Sequence, residues 1–197
     1  MSENYSQPDF YHFNEDSIKL VKWIQSSGLS AESILDLGAG SGIIGIELAK
    51  YLKPKTLMLV ELQKEFIPHL EKNCEDFLPK SVSFSIILKS FQDFNSDQTF
   101  DLIVCNPPYY LPGEGELPKN PNRAIARAFL TDSWPVLLDK INSKLSAGGK
   151  GYIVLKNNSI LYESVNKDAA LIDLVVEKYD IGAVMILELF RLNEYRD

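Results

Sequence analysis

An amide, two prolines and an aromatic ring stand together at Asn106-Pro107-Pro108-Tyr109, directly after the apolar run Phe100 to Cys105. Two consecutive prolines cannot continue a helix or a central strand, so the chain must turn there. The turn presents a side-chain amide, a backbone carbonyl and an aromatic face. Asn106 Oδ1 and the Pro107 carbonyl can each accept one N–H bond from a planar amino group, while Tyr109 stacks on the ring that carries it. Such a nitrogen is a poor nucleophile because its lone pair is delocalised. Two acceptors pull it towards tetrahedral geometry and aim the lone pair at an electrophile. No strong general base is required, since the proton can leave once its acidity has risen; orientation and electrostatics carry most of the catalysis. The structural alternative is a proline-rich turn with Tyr109 in the core, and the position after a strand argues against it.

A second constellation lies upstream. Ser33 to Leu37 reads as a short strand running into Asp36-Leu37-Gly38-Ala39-Gly40-Ser41-Gly42 and then a helix, the first turn of a nucleotide-binding α/β sheet. Gly38, Gly40 and Gly42 let the backbone approach a ligand, and Asp36 either orients the loop or meets a ligand ammonium through solvent. Glu61 ends the next strand and can accept both hydroxyls of a ribose, which favours an adenosine nucleoside with a free diol. The stretch from Gly40 to Gly45 formally satisfies G-x-G-x-x-G. In that fingerprint, however, the first glycine makes the tight turn; Gly38 does so here, which leaves Ile43 where the third glycine belongs. A dinucleotide site is therefore the weaker reading.

The elements that must position these groups follow from periodicity. Asn14 caps a helix with Ile18, Val21 and Ile24 at helical spacing, and Gly28 ends it. Ile43 to Tyr51 is a helix, Thr56 to Val60 a strand, and a helix through about Phe77 carries Phe66, Leu70 and Cys74, with Pro68 predicting a kink or a late start. Val82 to Leu88 and Phe100 to Cys105 are the third and fourth strands, followed by a long loop from Pro107 to about Pro121. Thr131 or Ser133 caps a helix to Leu145, which Ala147-Gly148-Gly149 terminates. Gly151 to Leu155 is a fifth strand and Leu161 to Asp168 a helix. Leu171 to Tyr179 and Val184 to Leu192 form an antiparallel pair. Strands alternating with helices imply an α/β fold with a parallel sheet covered on both faces.

The totals set bounds. The chain has 197 residues, 45% hydrophobic and 24% charged, the composition of an ordinary soluble domain. One domain is expected over 1–197, with a mobile tail over 1–9, a helical segment over 10–30 and a cofactor-binding core over 31–197. A net charge of -7 and a pI near 4.9 argue against broad binding to polyanions, although Lys119, Arg123 and Arg127 form a local basic patch. Cys74 and Cys105 fit no metal-ligand spacing and read as reduced structural residues; no metal is expected. His12 and His69 read as solvated, and Trp23 and Trp134 as packing residues. A polar start and the lack of a long apolar run point to the cytoplasm, with no membrane.

In this order, Asp36 to Gly42, Glu61 and Asn106-Pro107-Pro108-Tyr109 resemble the class I S-adenosylmethionine-dependent methyltransferases, in particular the branch acting on amino or amide nitrogen. The resemblance covers nearly the whole chain. It implies a Rossmann-like sheet of seven strands, mostly parallel, order 3-2-1-4-5-7-6 with the seventh antiparallel. It also implies S-adenosyl-L-methionine as cofactor, bordered by Asn106. Many relatives place an acid after the third strand to hold the adenine amino group; Ser90 falls there, with Gln92 and Asp93 close by, and these remain the candidates.

Phe10 to Ser17 and Asn120 to Arg127 are similar to segments of bacterial tRNA adenine-N6 methyltransferases that modify valine tRNA. In that family the first segment helps close over the cofactor and the second borders the substrate entrance, which makes Arg123 and Arg127, beside Tyr109, candidates for substrate contacts. The expected function is N6-methylation of an adenine in tRNA or another structured RNA. Protein glutamine methylation of the release-factor type is the alternative, as is a catalytically inactive cofactor- or partner-binding module. Release-factor enzymes usually carry a helical domain ahead of the cofactor fold, and DNA enzymes a target-recognition domain; neither is visible.

Overall fold

The computed structural model describes residues 4–108, 118–128, 130 and 132–191. Its strands are β1 (Ser33–Leu37), β2 (Thr56–Glu61), β3 (Ser83–Leu88), β4 (Phe100–Cys105), β5 (Leu145–Lys156), β6 (Leu174–Ile181) and β7 (Val184–Arg191). They form one sheet in the order β3-β2-β1-β4-β5-β7-β6. Neighbours from β3 through β5 are parallel, and β7 runs antiparallel to both β5 and β6. This is the Rossmann-like arrangement expected from the sequence. The helices are α1 (Glu15–Ser26), α2 (Ile43–Leu52), α3 (Ile67–Phe77), α4 (Pro121–Ile125), α5 (Trp134–Lys144) and α6 (Ser159–Ala170). Among the described residues no helix is long and apolar enough to cross a membrane.

Strand alternation explains how both faces are covered. Leu35, Leu37, Ile103, Cys105, Ile153 and Leu155 point into one core, with Leu137, Leu138 and Ile141 of α5 and Val165 of α6. Ile34, Leu102, Val104, Tyr152 and Val154 point into the other, with Leu20, Val21 and Ile24 of α1 and Ile46 and Leu48 of α2. The central strands therefore carry apolar residues towards both faces, and polar residues such as Asp36 of β1 stand out.

Local signals set several boundaries. The Asn14 side chain accepts from the Asp16 N–H, and Glu15 and Asp16 lie in the first turn of α1, where they complement the helix dipole. Pro68 falls in the first turn of α3 after a single 3-10 turn at Lys64–Phe66, so the late start is what forms.

Three expectations are corrected. Ala147-Gly148-Gly149 does not terminate α5; Leu145 is already extended, and β5 runs through the glycines. The register shifts between Phe100 and Leu102, and a Cβ at Gly149 would lie 2.8 Å from the Phe100 carbonyl oxygen, so the glycines mark a bulge pressed against β4. The stretch between the loop end expected near Pro121 and α5, given no element by periodicity, contains the short helix α4, capped by the Asn120 side chain, which accepts from the Arg123 N–H.

The third correction concerns the expected tail, because residues 5–8 are packed. Tyr5 is buried, its ring 4.6 Å from that of Phe77 and its hydroxyl on Glu47. The Ser6 N–H donates to Asn73 Oδ1 at 2.8 Å, and the Asn73 amide donates to the carbonyls of Ser6 and Ser41. The Ser6 hydroxyl lies 2.8 Å from His69 Nδ1, so His69 anchors this strap instead of facing solvent alone.

Candidate active site

The sheet itself assembles the site. Leu37 pairs with Val60 on one side and with Cys105 on the other, so Gly38, Glu61 and Asn106 leave three adjacent strand ends together. This is where the chain's strand order reverses, the place at which open α/β sheets bind ligands. The N–H groups of Gly38 and Ala39 donate to the Val60 carbonyl at 2.8 and 3.0 Å, which lays the glycine loop across the end of β2.

Glu61 is buried and holds two backbone N–H groups, that of Gly40 at 2.7 Å and that of Gln63 at 2.8 Å. Burial raises its carboxyl above the ordinary range, against the opposing pull of those N–H groups. Each carboxylate oxygen keeps capacity for a further donor.

Asp36 sits deeper. Its Oδ2 accepts the Gly45 N–H at 2.9 Å, while Oδ1 is buried with no hydrogen-bond partner. It does not line the cavities at the strand ends. Of the two roles open to it from sequence, the geometry matches orienting the loop-to-helix turn. Burial pushes its carboxyl up to about 7. The folded chain thus keeps a proton on Asp36 that the unfolded chain releases near pH 4. Between about pH 4 and pH 7 the native state binds the extra proton, so the cost of this carboxylate grows as pH rises and is complete above that window. The linkage is worth on the order of 4 kcal/mol. Asp36→Asn is therefore expected to be more resistant to urea than the wild type at about pH 8, and to lose that advantage near pH 4 to 5.

Gly42 is required by packing. It caps α2 with φ +83, and a Cβ there would lie 2.4 Å from Leu70 Cδ1. It lines none of the three cavities, unlike Gly38 and Gly40.

Three cavities meet at one amide. The first is lined by Gly38, Gly40, Glu61, Leu62, Phe66, Phe91 and Asp132, among others. Another runs along Ala39, Ser41, Ile43 and Ile44 to Gln7 and Phe13. The remaining one is bordered by His12, Asn14, Pro107, Arg127 and Lys156. Asn106 and Tyr11 line all three. The Asn106 amide donates from Nδ2 to the Ser17 hydroxyl at 2.9 Å, which fixes its orientation. Ser17 is buried on the apolar face of α1 with Leu20, Val21 and Ile24. Tyr11 packs edge-on against Phe66 at 5.8 Å between ring centres. Burial raises its phenol, with Arg127 pulling the other way.

The remaining site expectations divide. Pro107 and Arg127 border the cavity that His12 and Lys156 also line, while Arg123 is exposed and lines none of the three. Tyr109 lies outside the described residues. Ser90 and Gln92 do not line the first cavity. The Ser90 hydroxyl is used locally, donating to Asp93 at 2.8 Å, and Gln92 is exposed. Phe91 between them supplies the wall. Sequence reasoning also missed Ser17, Gln63, Lys156 and Asp132. Ser17 alone carried a signal, a polar residue on an apolar helical stripe.

The methyltransferase small domain pattern matches residues 12–179. A tRNA1(Val) (adenine(37)-N6)-methyltransferase of Shewanella baltica is 30% identical over 149 residues, covering 74% of this chain and 60% of the relative. A protein of the same name from Pedobacter heparinus is 30% identical over 127 residues, covering 64% and 52%. The chain thus spans about 60% of the length of the curated relatives it matches. Among solved structures, a 16S rRNA N2 G1207 methyltransferase from T. thermophilus, in complex with AdoMet and guanosine, superposes with TM-score 0.67 at 17% identity, covering 91% of this chain and 44% of that one. A ribosomal protein L11 methylase from Lactobacillus delbrueckii gives 0.64 at 18% identity, covering 91% and 80%. One of these names an RNA and the other a protein, so the shared fold does not choose the acceptor.

Proposed function

The chain belongs to the methyltransferase small domain family, and from that premise we propose that it transfers a methyl group from S-adenosylmethionine to N6 of an adenine in tRNA. One observation carries the reading. Two cavities on the glycine-loop side and one on the proline side share Asn106 and Tyr11, so a cofactor and an acceptor would meet at the amide. The residues present suit the cofactor. The first cavity has apolar walls from Phe91 and Leu62 and a buried carboxylate, Glu61, for a ribose diol. The bound cofactor supplies a methyl group made electrophilic by its sulfonium.

The chain's own groups then do the positioning. Glu61 holds the sugar, and the backbone from Ala39 to Ser41 lines the space for the amino-acid portion. Asn106 Oδ1 and the Pro107 carbonyl accept the two hydrogens of the acceptor amine, and Ser17 keeps the amide turned for that purpose. The gain comes from preorganised acceptors strengthening as positive charge develops on nitrogen. Arg127 and Lys156 border the acceptor-side cavity, where they suit a phosphate flanking the target base. Those two cations favour a nucleotide over a protein glutamine, although Asn106 and Pro107 could grip either planar nitrogen. We place the activity in the cytoplasm, where tRNA is available.

The test incubates the protein and labelled S-adenosylmethionine with tRNA and with total protein from cells lacking it. N6-methyladenosine in digested tRNA is expected. Label confined to protein would establish the glutamine alternative, and cofactor binding without transfer to either fraction would leave a binding module.

A further inference from the structure

The cofactor's adenine needs an acceptor for its exocyclic amine, and the position after β3 cannot supply one. Ser90 is committed to Asp93, and the Gln92 side chain lies outside the first cavity. The side-chain acceptors that line it are Tyr11, Glu61, Gln63, Asn106 and Asp132. Glu61 is assigned to the ribose, Gln63, whose Nε2 donates to the Asn122 carbonyl at 3.0 Å, offers only a neutral amide oxygen, and Asn106 and Tyr11 sit where the three cavities join. That leaves Asp132.

Asp132 comes from the segment before α5, far along the chain from β3. Its carboxylate spans two consecutive backbone donors, accepting from the Phe91 N–H at 3.1 Å and the Gln92 N–H at 3.0 Å. It is therefore fixed at the edge of the Phe91 wall, and each oxygen retains a lone pair for another donor. We propose that Asp132 reads the adenine of the cofactor, accepting the N6 amine in place of the acid that the end of β3 lacks. The acid has been moved to another element, and its grip on the two N–H groups holds it in register with the base. This inference rests on the cofactor reading above.

The test compares S-adenosylhomocysteine with its purine riboside analogue, in which a hydrogen replaces the amine and N1 stays an acceptor. The two differ only at the edge assigned to Asp132. By calorimetry the wild type is expected to prefer the adenosyl ligand by about tenfold to a hundredfold, the range of a hydrogen bond to a charged group. Asp132→Ala is expected to lose most of that preference. Asp132→Asn, which keeps only a neutral acceptor, is expected to narrow it, and serves if the alanine variant does not fold. An unchanged preference in folded variants overturns the proposal. So does equal weakening of both ligands, which would mean that Asp132 only holds the turn at Phe91 and Gln92. Failure of the wild type to bind either ligand would overturn the cofactor reading together with it.

Discussion

Asn106→Ala is expected to lower single-turnover methyl transfer by about 10²- to 10³-fold, the scale on which loss of one preorganised hydrogen-bonding group acts. Affinity for S-adenosylhomocysteine should change by only a few-fold, because Glu61 and the glycine loop remain. The separation of the two readouts is the informative part. Asn106 lines the cofactor side as well as the acceptor side, so a loss in binding alone would assign it to the cofactor and leave the acceptor without its amide. Ser17→Ala should give a smaller loss in the same direction, about threefold to tenfold, since it removes one contact that orients the amide without removing the amide. An Asn106→Ala protein that transfers methyl groups at the wild-type rate would sink the mechanism.

Glu61→Gln should have its effect on the other axis. Two charge-assisted hydrogen bonds to a ribose are at stake, so the dissociation constant for S-adenosylhomocysteine is expected to rise by about a hundredfold. The wild type should also show a pH dependence. Burial raises the Glu61 carboxyl, so acidification protonates it above the usual carboxylate range, and cofactor affinity falls as pH falls. Glu61→Gln should flatten that profile. Measuring it in an Asp36→Asn background removes the other raised carboxyl nearby. A profile that stays equally steep after the Glu61 substitution would show that the titrating group lies elsewhere.

What the sequence made legible is tied to strand ends. Glu61, Gly38 and Asn106 were found because each follows an apolar strand and belongs to a residue type with a chemical reason to be there. Pairing β1 with β2 and β4 then brings them together without further information. The groups that orient them were hidden for the opposite reason. Ser17 meets Asn106, and Asp132 meets Phe91, only because distant elements pack together, and no local pattern encodes such a contact. The strap over residues 5–8 was read as a tail because its polar residues carry no periodicity; its order comes from Glu47, His69 and Asn73 on other elements. Ser90 and Gln92 were misplaced because a residue near the right strand end can still spend its polar atoms on its own turn. The glycines within β5 were misread as a stop because a bulge and a helix terminus use the same residue.

The placement of β7 between β5 and β6 has a consequence for how the protein is made. Among the described residues β6 has no strand partner other than β7, and one side of β5 is open until β7 arrives. At translation rates of about 5–20 residues per second, the stretch from Lys156 to Arg191, about 35 residues, takes a few seconds to emerge. During that interval the nascent chain can already pair β1, β2 and β4, with Gly38, Glu61 and Asn106 in place, while β5 presents an unpaired apolar edge. A ribosome stalled there would display the half-sheet that carries the candidate site alongside the surface most prone to joining another chain.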